Sequence, residues 1–175
     1  MRVFRPASIR RRLFGLRRIR SSYFVILAVL VAFDLIAKSQ IDRLLVHIGT
    51  SMPLIPGFNL TLGHNRGISF GVLDSDHWFA PYLLSAVAVV LIVAVLNWTA
   101  QQRSKLSDIA GTLFASGGLA NAIDRLGDGA VTDYLDFGWQ AVRWPTFNMA
   151  DVFIFFGVVL LLLGWRETRT LTSDT

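Results

Sequence analysis

The sequence predicts an all-α integral membrane protein, with four transmembrane helices and a small sheet outside the bilayer. Three observations carry this. Of 175 residues, 53% are hydrophobic and 17% charged, above and below the usual soluble ranges, and mean hydropathy is +0.51. The apolar residues lie in long runs, as a bilayer requires. The basic residues gather on one side of those runs. The same composition excludes a disordered chain. With no Cys, it also excludes a disulfide scaffold, thiolate metal sites and a cysteine nucleophile.

The elements follow in order. Residues 23–37 are apolar except for Asp34, 78–98 carry no charged residue, and 149–165 carry only the charge of Asp151. A fourth run, 109–126, is rich in Gly and Ala; Gly111, Ala115, Gly117, Gly118 and Ala120 suit close packing inside a bundle. Asp34 and Lys38, and the lack of a small-x-small cleavage site, set the first run apart from a signal peptide. Residues 1–21 form an Arg-rich tail, 22–166 the helical domain and 167–175 a second tail.

Twelve of the 17 basic residues lie in the tail, in the link at 100–107 and after Trp165. The positive-inside rule puts that side, and both termini, in the cytoplasm. The Arg-rich tail sets topology and meets anionic headgroups, rather than nucleic acid. Trp78, Trp139 and Trp144 belong to the outer aromatic belt. In the first outer loop, 52–57 reads as a turn. Phe58, Leu60 and Leu62 then alternate with polar or small residues as a strand, paired with 68–73 across a turn at 64–67. Residues 40–48 extend the first helix or form an interfacial one. The loop 59–73 is expected to act as a lid.

Charges inside a bilayer are costly, so each is a functional candidate. Asp34, Asp124, Arg125 and Asp151 all fall toward the outer leaflet, and the loop 127–148 adds Asp128, Asp133 and Asp136. Gly117, Gly118, Asn121, Asp124 and Arg125 recur at helical spacing and share one face. Asn148 and Asp151 are three apart, and a capping role for the pair stands as the structural alternative. Two adjacent aspartates share a proton and titrate as a unit. One then activates water as a base while the other donates, which is aspartic-protease chemistry without metal or cofactor. Asp34 and Lys38 suit an i,i+4 ion pair. His47, His64 and His77 lack metal-ligand spacing and read as surface residues. On the residues alone, Asp124 and Asp136 remain open beside Asp133.

Five ordered blocks resemble the lipoprotein signal peptidase family, the bacterial type II signal peptidases. They are Asp34-Leu-Ile-Ala-Lys38, Asn65-Arg-Gly67-Ile-Ser69-Phe70-Gly71, Gly117-Gly118-Leu-Ala-Asn121-Ala-Ile-Asp124-Arg125, Val131-Thr-Asp133-Tyr134 and Phe147-Asn148-Met-Ala150-Asp151. The resemblance spans about 22–166 and implies four spans, a small periplasmic sheet and an interfacial helix. It implies an aspartic endopeptidase of the bacterial inner membrane that removes the signal peptide of diacylglyceryl-modified prolipoproteins, cutting before the lipidated Cys. Asp133 and Asp151 are the implied catalytic pair. Asp34, Lys38, Asn65, Gly67, Asn121, Asp124, Arg125 and Asn148 are the supporting or substrate-binding set. Within that set Arg125 is expected to hold Asp124 ionised, Gly67 to give the turn freedom, and Phe70 and Trp144 to cover the site. The partners are the prolipoprotein and membrane lipid, not nucleic acid, and a monomer is compatible. A solute carrier fits less well, since the acids gather at one level and no inverted repeat is visible; a scaffold subunit leaves the Asn and Asp blocks unexplained.

Overall fold

The computed structural model describes residues 21–67, 77–102, 104–139 and 142–173. In chain order the elements are α1 (Ser21–Leu44), β1 (Ser51–Ile55), β2 (Phe58–Asn65), α2 (Ala80–Gln102), α3 (Lys105–Asp128), β3 (Val131–Trp139), β4 (Val142–Arg143) and α4 (Met149–Ser173). Helix α3 is central and packs against the other three helices. The expected strand at 68–73, Phe70 and the tail 1–20 lie outside the described residues.

Small residues let α3 sit at the centre. A Cβ on Gly117 would collide with the Ala150 carbonyl oxygen of α4, and one on Gly157 would lie 2.7 Å from the Phe114 amide nitrogen. On the opposite side, a Cβ on Gly111 would come within 2.7 Å of Thr99 Oγ1 on α2. Backbone-to-backbone approach of this kind suits interfaces built by packing alone. Val31, Ala120 and Ala150 form the buried junction of α1, α3 and α4.

The side-chain distribution is the reverse of a water-soluble bundle. Phe24, Val29 and Phe33 on α1, Leu83, Val90 and Val93 on α2, and Phe155 and Leu162 on α4 are exposed. Asp34, Lys38 and Asn148 are 0%, 1% and 0% exposed. Apolar surface on this scale marks contact with lipid or a partner. Helices α1 and α2 are long and apolar enough to cross a membrane, and Met149–Gly164 is a shorter apolar stretch.

The sheet differs from the expectation in its pairing. It is antiparallel with order β1-β2-β3-β4. Only Pro56-Gly57 turns, with Gly57 at φ 83°, and it folds β1 back onto β2. Residues 51–55 are therefore strand rather than turn, and His64 and Asn65 continue β2. The second partner of β2 is β3, which lies in what the sequence suggested was a loop. Val131–Trp139 is rich in β-branched and aromatic residues, so its strand form has a local cause. Residues 59–65 of the expected lid are hydrogen-bonded on both sides as β2, and 68–73 lie outside the described residues. The register of β2 with β3 shifts between Leu60 and Gly63, opposite Leu135 and Asp133. Such a bulge re-aims neighbouring side chains. Residues 40–44 extend α1. There Ile41 and Leu45 pack with Leu62 and Tyr134, fixing the sheet to the end of the bundle; each such aliphatic burial contributes about 1.5–3 kcal/mol.

Candidate active site

The polar residues meet where α1, α3, α4 and the sheet converge. The first turn of α4 organises them. A helix start leaves several backbone N–H groups without intrahelical partners, and here each has one. The Asn148 N–H donates to Asp151 Oδ2 at 3.2 Å, and Asn148 Oδ1 accepts from the Asp151 N–H at 3.0 Å. This reciprocal pair is a capping box with Asp in the acidic position. The Met149 N–H faces the Tyr134 hydroxyl at 3.4 Å, and the Ala150 N–H donates to Asp34 Oδ1 at 2.9 Å. The capping alternative for Asn148 and Asp151 is thus correct as geometry. It also pins the Asp151 carboxylate to one position.

Asn148 reaches the second acid as well. Its Nδ2 donates to Asp133 Oδ1 at 2.7 Å and to the Thr132 carbonyl at 3.3 Å. Asn65 Nδ2 donates to Asp133 Oδ2 at 3.2 Å, and Asn121 Nδ2 donates to Asp151 Oδ1 at 2.9 Å. Three asparagines therefore hold two carboxyls, and Asn148 touches both. Burial, and next the charge of Asp151, push the Asp133 carboxyl up to about 7. Burial, then the charge of Asp34, push the Tyr134 phenol up to about 12, so it stays protonated.

Asp133 and Asp151 open into one cavity of about 900 Å³. Its polar end carries Asn65 and the two acids; its apolar wall runs down α4 through Val152, Phe155 and Phe156. Trp144, 64% exposed, stands at its rim. Two acids at one end and an apolar trough at the other suit an amphiphilic peptide.

The remaining candidates separate by partner. Lys38 Nζ pairs with Asp34 Oδ2 at 2.9 Å and with Asp124 Oδ2 at 3.2 Å. Asp124 Oδ2 also accepts the Thr132 N–H at 2.8 Å, tying α3 to β3. Arg125 was expected to be the cation that holds Asp124; it does act on Asp124 through its charge, but the bonded ion pair is formed by Lys38. Consecutive helical residues point about 100° apart, and Arg125 instead donates from Nη2 to the Gly67 carbonyl at 3.1 Å. The Gly67 N–H donates to Asn65 Oδ1 at 3.1 Å, so both backbone groups of this buried glycine are engaged. Asp136 takes two bonds from Arg143, Nε at 3.0 Å and Nη2 at 2.7 Å, and one from Thr61 at 2.7 Å. The Arg143 bonds hold its carboxyl below the usual range.

Three participants carried no sequence signal for their roles. Thr132 serves through its backbone and Tyr134 through its hydroxyl. His64 is an exposed surface residue, as the sequence suggested, and also borders the cavity, 3.5 Å from Asp42 Oδ1. Strand placement of 131–134 would have shown the first two; nothing local marks His64.

A helical bundle capped by a small sheet is a fold this chain shares with solved bacterial membrane enzymes. Two solved structures so described are similar to this chain: one at TM-score 0.73 and 25% identity over 85% of this chain and 89% of that one, the other at 0.69 and 25% over 83% and 93%. The family model for signal peptidase (SPase) II matches residues 26–165, and the chain belongs to that family, which makes it a peptidase. Among its relatives are the lipoprotein signal peptidases of Aeromonas hydrophila, 34% identical over 82% of this chain and 88% of the relative, and of Yersinia pseudotuberculosis, 39% identical over 77% and 80%.

Proposed function

We propose that the chain is an intramembrane aspartic endopeptidase that removes the signal peptide from diacylglyceryl-modified prolipoproteins, cutting before the lipidated Cys. Asp133 and Asp151 are its catalytic residues. The observation that carries this reading is the grip of Asn148 on both acids at the polar end of an amphiphilic cavity. One acid, ionised, takes a proton from water as the oxygen attacks the scissile carbonyl. The other, protonated, donates to the carbonyl oxygen and stabilises the tetrahedral intermediate. The proton gained from water then passes to the leaving nitrogen, the C–N bond breaks, and the diol returns a hydroxyl proton to the second acid as the carbonyl re-forms. The products are the signal peptide with a free carboxylate and the lipidated Cys with a free amine.

The same reading takes all four helices as spans. The exposed apolar side chains of α1, α2 and α4 would then face lipid, around an α3 that is more buried but still exposes Ile109, Ile123 and Leu126. Residues 22–166 are the membrane-embedded domain, flanked by cytoplasmic tails 1–21 and 167–175. The basic distribution puts both termini in the cytoplasm and the sheet with its acids on the periplasmic side of the inner membrane. At that depth the enzyme meets the bond while the diacylglyceryl chains stay in the outer leaflet. The apolar wall of α4 faces the same layer.

Purified protein in detergent should cleave a diacylglyceryl-Cys prolipoprotein peptide. Asp133→Asn and Asp151→Asn should each abolish cleavage while the protein stays folded. Retained turnover in either variant would reject the assigned pair.

A further inference from the structure

Lys38 is a buried lysine with three donors and no acceptor. Its Nζ lies 2.9 Å from Asp34 Oδ2, 3.2 Å from Asp124 Oδ2 and 2.7 Å from Asn121 Oδ1. Two carboxylates already neutralise it, yet the shortest contact goes to a neutral amide. That contact has a consequence. An ammonium accepts only oxygen as its neighbour, so the Asn121 amide cannot rotate by half a turn. Its nitrogen is left facing Asp151 Oδ1 at 2.9 Å. Asp151 thereby meets a donor polarised by a cation, and a charge-assisted bond of this kind favours an ionised acceptor. The Asp133 oxygens meet Asn65 and Asn148, two amides bonded elsewhere to uncharged backbone groups.

We propose that Lys38 is a positioning residue: it locks the Asn121 amide toward Asp151, fixing Asp151 as the ionised base and leaving the shared proton on Asp133. This rests on the reading of Asp133 and Asp151 as the catalytic pair. It goes beyond an anchoring ion pair between Asp34 and Lys38, which would need no contact to Asn121. Asp151 is then the acid that takes the proton from water, and Asp133 the one that polarises the carbonyl.

The test is the pH dependence of kcat/KM for the lipidated peptide, measured in the full chain. Asn121→Leu leaves Lys38 paired with Asp34 and Asp124 but cuts the relay. Its acid limb should move to higher pH by about one unit, or about tenfold less turnover on the acid side. The combined variant Asp34→Asn, Lys38→Met, Asp124→Asn removes the cation without stranding a buried carboxylate. It should show a similar displacement, and adding Asn121→Leu to it should move the limb no further, because both changes break one path. An unmoved limb in Asn121→Leu, or additive displacements, would overturn the proposal. If the combined variant does not fold, Asn121→Leu decides alone. Should Asp133→Asn and Asp151→Asn abolish cleavage while the limb stays in place, this inference fails and the peptidase reading stands.

Discussion

Asp34 caps a helix that begins far along the chain: its Oδ1 accepts the Ala150 N–H at 2.9 Å across 116 residues, with Asp34 itself 0% exposed. The same carboxylate pairs with Lys38. One side chain thus fixes α1 against the first turn of α4, where Asp151 stands. Asp34→Ala would leave Lys38 short of a partner and the Ala150 donor open. Loss of one partner from a buried pair costs about 3–5 kcal/mol, so thermal unfolding in detergent should show a lower Tm. Asp34→Asn, which can still accept from Ala150, should lose less than Asp34→Ala.

Asn148 links cap and site. Asn148→Ala removes the Asp151 capping partner and the Asp133 donor together. The cap alone is worth about 1 kcal/mol. The effect on cleavage should be larger, about 10- to 100-fold in kcat, as for residues that orient catalytic groups. A kcat within twofold of wild type would show that neither acid depends on it.

The Asp133 carboxyl, pushed up to about 7, gives a signed prediction for stability. The folded state holds this proton more tightly than the unfolded chain. Its contribution is therefore fully present below about pH 4 and is lost as pH rises through about 7. Asp133→Asn, always neutral, should be more stable than wild type at pH 8 and nearly equal at pH 4, by unfolding at the two pH values. Cleavage by wild type should also fall above about pH 7, as the pair loses its shared proton.

Asp136→Asn separates the acids. Asp136 is buried and occupied by the exposed Arg143 and by Thr61, so its substitution should lower stability while leaving turnover within about threefold, the scale of one partly exposed ion pair. Abolished cleavage in a folded Asp136→Asn protein would return Asp136 to the list of catalytic candidates.

Gly117→Val tests the helix spacing that aligns the site. A Cβ there collides with the Ala150 carbonyl oxygen, a backbone atom that cannot step aside. Overpacking costs about 1–3 kcal/mol or more. The displacement of α4 would also stretch the Asn121–Asp151 bond. Both Tm and kcat should fall, whereas a valine at exposed Leu83 of α2 should change neither.

Much of the molecule was legible locally. Apolar runs gave the helices because bilayer-length hydrophobicity is a property of consecutive residues. The spacing of Gly117, Asn121 and Asp124 gave the inward face of α3, because a helix repeats on a short period. The five blocks brought Asp133 and Asp151 together as a resemblance. What failed was non-local or chemically ambiguous. The partner of β2 lies some 70 residues away, beyond any turn signal. The turn at Pro56-Gly57 was read too wide. Arg125 was assigned to Asp124 because they are neighbours in sequence; it acts there through its charge, while its hydrogen bond goes to Gly67 and the bonded cation is Lys38.

By itself, the sequence determined which stretches are apolar enough to be helices and which few polar residues such a chain retains at a cost in burial. Only the tertiary structure decided who meets whom. Hydrogen bonds act over about 3 Å, so whether Lys38 serves Asp124, or Asn148 reaches Asp133, depends on how closely glycine-lined helices approach and on one register shift in β2.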